Sequence, residues 1–74
     1  MPVIKVEMFA GRSRDKKRAL ARALTDAFVE SCGGTAQSVQ IIIQDIEKED
    51  WGVGGSLAVD LYPDAPAATA AKQS

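Results

Sequence analysis

The sequence contains no histidine and a single cysteine, Cys32, and these two counts limit its chemistry most. Zinc sites assembled from His and Cys clusters have no material here, nor do catalytic pairs of the Ser-His or Cys-His kind. Proton transfer is left to the carboxylates, the lysines, Tyr62, Cys32 and the N-terminal amine. Arg12, between Gly11 and Ser13, is a candidate anion ligand or a plain surface charge. Pro2 stands just before a strand, where its missing N–H would cost nothing. Trp51 could line a pocket or pack an interface, since large aromatics dominate buried contacts. Gly52, Gly54 and Gly55 read as turn residues, because no strand–glycine–helix order with a lysine surrounds them.

The elements that would position these groups are legible from periodicity. Ile4, Val6 and Met8 alternate with Lys5 and Glu7, which predicts a strand over residues 3–9. Ala10-Gly11-Arg12 interrupts it. Ser13 suits a helix N-cap, and Asp15 places an acidic group in the first turn. Leu20, Ala23, Leu24, Ala27, Phe28 and Cys32 recur at spacings of three and four and predict one apolar stripe on a helix over 14–32. Cys32, on that stripe, is expected to be a buried small hydrophobe rather than a nucleophile. Gly33-Gly34 ends the helix. Residues 39–46 form a second strand, with Val39, Ile41 and Ile43 on one face and Ile42 placing an apolar group on the other. Glu47 to Asp50 is a charged, solvated turn, and the glycines after Trp51 suggest a tight hairpin. The fold class is therefore α/β: one right-handed βαβ unit with a C-terminal hairpin.

A chain of 74 residues is expected to be one domain. Residues 2–60 carry the patterned part, and 61–74, rich in Ala and Pro, read as a flexible tail. A two-stranded sheet is marginal alone, and one cysteine allows no intrachain disulfide. Oligomerisation, with sheets joined between subunits, is the expected remedy. Nine basic and ten acidic residues give a net charge of −1, so nothing points to nucleic acid. No apolar stretch approaches a membrane span. The absence of a signal-like start, together with the lone cysteine, fits a reducing cytoplasm.

These residues together carry a family resemblance. Met1-Pro2, Gly11-Arg12-Ser13 leading into a helix rich in Lys and Arg, the strand 39–46, and Trp51-Gly52-Val53-Gly54-Gly55 stand in the order and spacing of the 4-oxalocrotonate tautomerase group of the tautomerase superfamily. The chain resembles that group from Pro2 to about Leu57. The resemblance implies a cofactor-independent isomerase, assembled as a hexamer of three dimers with active sites between subunits. It implies that Pro2 is the catalytic base, that Arg12 binds a substrate carboxylate and that Trp51 walls the pocket. It also implies keto–enol tautomerisation of a small 2-hydroxydienoate or arylenolpyruvate. The same scaffold hosts hydratases and dehalogenases of unsaturated acids. A catalytically weak subunit of a mixed oligomer is the alternative outside enzyme chemistry.

Such chemistry needs a base that is neutral at pH 7. An ordinary α-amine titrates at about 7.7–8.0, and a proline amine is normally more basic. Burial among Ile4, Met8 and Trp51, and the positive charge of Arg12, would both disfavour the ammonium form. The amine exists only if Met1 is removed, which the small second residue favours; with Met1 retained, the Pro2 nitrogen is a non-basic tertiary amide. One position departs from the group. Many members carry an arginine where this chain has Gln40, which donates a neutral hydrogen bond in its place. Charge-assisted bonds are roughly twice as strong as neutral ones, so the departure argues against a dicarboxylate substrate. It also predicts a Pro2 amine less acidified than in arginine-bearing relatives. Arg14 is a candidate to replace the missing cation, with a solvated helix residue as its simpler reading.

Overall fold

A computed structural model describes residues 1–63. Strand β1 spans Val3–Phe9, helix α1 Arg14–Cys32, and strand β2 Gln40–Ile46. β1 and β2 pair in parallel, with Val3 opposite Gln40, Ile4 opposite Ile41 and Phe9 opposite Ile46. A short antiparallel hairpin follows, β3 (Gly52–Val53) with β4 (Ser56–Leu57). The expected βαβ unit with a C-terminal hairpin is thus the observed architecture. Of the tail expected over 61–74, residues 64–74 lie outside the described part; Leu61 itself closes a helical turn, α2, over Ala58–Leu61.

Local chemistry sets the boundaries of α1. Gly11 adopts a φ of 126°, a value that a residue with a Cβ rarely takes, and so turns the chain out of β1. Ser13 then accepts a hydrogen bond from the Lys16 amide at 3.2 Å, the capping interaction expected of it. At the other end Gly33 donates its amide to the Val29 carbonyl at 2.9 Å. Between β1 and β2 the 19-residue helix covers one face of the sheet.

That face carries Ile4, Val6, Met8, Ile41 and Ile43, all half-buried. The helix answers with Lys17, Leu20, Ala21, Leu24, Thr25, Phe28 and Val29. The covered stripe is therefore rotated from the predicted one. Ala23 and Ala27 are exposed, and so is Cys32, which was expected to be buried. The reason is that Leu20, Leu24 and Phe28 could be extended to either flank. Ala21 and Val29, with the alkyl stem of Lys17, offer more to the sheet than two alanines. Cys32 sits in the last helical position, where the chain leaves for Gly33-Gly34 and a 3-10 turn at Ala36–Ser38 rather than resting on a strand. Lys17 meets Asp45 of β2 at 2.5 Å, joining helix to strand.

The opposite face of the sheet is uncovered. Val3 is 56% exposed and Ile42 49%, with Lys5, Glu7, Gln40 and Gln44 around them. Among the described residues only Ala58 is buried outright, at 0% exposure. The described residues of a single chain thus close no core of large side chains, and among them no third strand pairs with β1 or β2.

Candidate active site

Parallel pairing puts the starts of both strands at one end of the sheet and their finishes at the other. Pro2 and Gln40 share the starting end. The Gln40 amide N–H donates to the Pro2 carbonyl at 2.9 Å, so the sheet ladder anchors the residue that would carry the amine. The Gln40 side chain folds toward the same terminus, its Nε2 donating to Met1 Sδ at 2.9 Å. Pro2 is half-buried and Gln40 exposed.

Arg12 and Trp51 occupy the finishing end. Arg12 is exposed and donates from Nη1 to the Phe9 carbonyl at 3.2 Å. A guanidinium has five N–H donors, so this bond fixes its position and leaves most of its donors for a ligand. Trp51 is half-buried and packs edge-on against Phe9, with centroids 4.7 Å apart and planes at 66°. The Tyr62 ring lies 6.4 Å from Phe9 on another side. Lys48 stands over the Phe9 ring, 5.7 Å from its centroid, and donates to the Tyr62 carbonyl at 2.8 Å.

The sequence had marked Trp51 but missed this cluster. Phe9 breaks the alternation of β1 by following Met8 directly, and that was an available signal. Tyr62 stood beyond the expected domain edge. The i, i+4 pair Leu57 and Leu61 was the cue for α2, which turns the chain back. A hydrogen bond from the Ala58 amide to the Trp51 carbonyl, 2.7 Å, closes the hook.

One chain therefore places Pro2 with Gln40 at one end of the sheet and Arg12 and Trp51, each against a different part of Phe9, at the other, and does not bring the two ends to each other. Seven strand residues separate them, roughly 20 Å at the usual rise of a parallel strand. A shallow depression beside α1, lined by Arg18, Ala21, Arg22, Thr25, Asp26 and Ala36, contains none of the four.

A βαβ unit with a short C-terminal hairpin and a strand beginning directly after Pro2 defines the class. Residues 2–60 match the family model described as tautomerase enzyme, and the chain belongs to the tautomerase family. It is 38% identical over 61 residues to a 2-hydroxymuconate tautomerase of Comamonas testosteroni, covering 82% of this chain and 97% of that one. Among solved structures, it is similar to a 4-oxalocrotonate tautomerase isozyme from Methylibium petroleiphilum, with a TM-score of 0.78, 34% identity, and coverage of 82% and 98%. It is also similar to a fused 4-OT solved as an asymmetric trimer, with a TM-score of 0.76 and 34% identity; the match covers 80% of this chain and 48% of that one. Homologues of this chain thus include oligomeric tautomerases, and the family is one of isomerases. No helix among the described residues is long and apolar enough to cross a membrane.

Proposed function

We propose that this protein is a cofactor-independent keto–enol tautomerase of a small 2-hydroxydienoate or arylenolpyruvate, with the amine of Pro2 as its base after loss of Met1. The observation that carries the proposal is the family match beginning at Pro2, on a chain without histidine. The neutral amine takes the enol hydroxyl proton, and the oxygen's electron pair re-forms the carbonyl. The ammonium then returns that proton to carbon as the double bond shifts. Arg12 binds the carboxylate, Trp51 walls the pocket and Gln40 supplies a neutral donor.

The separation of Pro2 and Gln40 from Arg12 and Trp51 along β1 supports a site composed from more than one copy. One chain supplies the amine and another the guanidinium and indole. A homo-oligomer of joined sheets, a hexamer of three dimers, meets that need and covers Val3 and Ile42. A reducing cytoplasm belongs to the same proposal.

Intact mass before and after treatment with a small acetylenic acid at neutral pH tests the base. The expected result is a mass lacking Met1, with one adduct mapped to Pro2. A mass retaining Met1 and taking no adduct would remove the amine from the mechanism.

A further inference from the structure

We propose that Lys48 is a positioning residue for the reaction: its ammonium latches the C-terminal hook and so holds Trp51 where it walls the pocket. The inference rests on the tautomerase proposal above, in which Trp51 meets the substrate.

Four hydrogen bonds form a closed circuit. The Trp51 amide donates to the Lys48 carbonyl at 3.3 Å, and the Ala58 amide to the Trp51 carbonyl at 2.7 Å. The Tyr62 amide donates to the Ala58 carbonyl at 2.7 Å. Lys48 Nζ donates to the Tyr62 carbonyl at 2.8 Å and returns the circuit to its start. Three members of the circuit also meet one ring: the Trp51 indole, the Tyr62 phenol and Lys48 Nζ lie 4.7, 6.4 and 5.7 Å from the Phe9 centroid. Lys48 is half-buried between exposed Glu47 and Glu49, so one residue of the turn expected to be solvated is committed to the hook.

Three links of the circuit join backbone to backbone. The fourth is the only one made by a side chain, and it is charge-assisted. Helix α2 has four residues, too few to hold a helical turn by its own propensity. Without the ammonium, the end of the hook at Tyr62 is tied only through that turn, and the turn is what binds the Trp51 carbonyl. Fraying would then pass from Tyr62 through Ala58 to Trp51. Arg12 is held separately, by the Phe9 carbonyl, whose strand is fixed by pairing with β2. The latch therefore acts on the pocket wall, and neither on the carboxylate ligand nor on Pro2 at the other end of the sheet.

The test compares Lys48→Met with Lys48→Arg in the full-length processed protein. Methionine keeps an apolar stem over Phe9 and lacks the donor, whereas arginine keeps charge and donors. In K48M the KM for phenylenolpyruvate should rise about tenfold, the scale of one hydrogen bond to a charged group, with kcat within about twofold. Energy transfer from Tyr62, the sole tyrosine, to Trp51, the sole tryptophan, should fall in the same variant. K48R should restore both readings. Where K48M does not assemble by light scattering, Lys48→Gln retains a neutral donor and should give a KM between the two. Wild-type KM and energy transfer in K48M would overturn the latch, and so would a fall of kcat, KM and oligomer mass together that K48R does not rescue; either leaves the tautomerase proposal standing. A wild-type protein that converts no enol would overturn that proposal and this inference with it.

Discussion

In the proposed mechanism Pro2 and Gln40 divide the work at the amine end. If Pro2 is the base, Pro2→Ala keeps the backbone site but replaces a secondary amine with a primary one of different reach and basicity. General acid–base groups contribute about 10²–10⁴, so its tautomerase kcat/KM should fall by at least the lower end of that range. An unchanged rate in a ketonisation assay would end the Pro2 mechanism. The amine also fixes the sign of the pH dependence. With a neutral amine as the proposed base, the rate should fall as pH falls through its pKa. Gln40→Arg places a like charge beside the ammonium, disfavours it and lowers that pKa. The acid limb of the kcat/KM profile should therefore move to lower pH in Q40R, in step with an amine titration by NMR. A limb that stays fixed while the amine shifts would assign the limb to another group.

At the scale of elements, what was legible followed from period and punctuation. The alternation of Ile4, Val6 and Met8, the Ser13 cap and the Gly33 stop placed β1 and α1 at their observed bounds, because each is a local rule with a local cause. The rotation of the helix stripe was not legible. Ala23 and Ala21 are equal in local propensity, and only the shape of the sheet beneath decides between them. The aromatic hook escaped for a similar reason: Phe9 and Tyr62 are far apart in sequence, and four residues of α2 give too short a period to read. The helix cap and the hook yield one stability prediction each. Ser13→Ala removes the N-cap acceptor and should cost about 1 kcal/mol in chemical denaturation. Ala58→Leu forces a larger side chain into the one fully buried position described and should cost about 1–3 kcal/mol. Trp51 is the sole tryptophan and bonds to Ala58 through its carbonyl. Its fluorescence should report loosening of the hook in Ala58→Leu and remain native in Ser13→Ala below the unfolding transition.

At the scale of the molecule, the proposed assembly would make the exposed sheet face link stability to catalysis. The site residues sit at the two ends of the sheet, and the apolar groups that would seat a neighbouring copy, Val3 and Ile42, flank Gln40 on the uncovered face. Assembly that binds the folded chain and not the unfolded one stabilises by mass action, so the melting temperature should rise with protein concentration. Ile42→Glu tests the coupling, because it puts a charge on that exposed face and replaces none of Pro2, Arg12, Gln40 or Trp51. A buried interface charge without a partner is strongly unfavourable. The variant should therefore shift light-scattering mass toward smaller species and lose tautomerase activity together with the concentration dependence of melting. Activity retained by a monomeric Ile42→Glu would mean that one chain brings Pro2 and Arg12 together after all. Activity lost in an intact oligomer would mean that Ile42 acts on the site directly. A joint loss of mass and rate would make the open sheet face part of the catalytic apparatus, since the second half of each site would arrive across it.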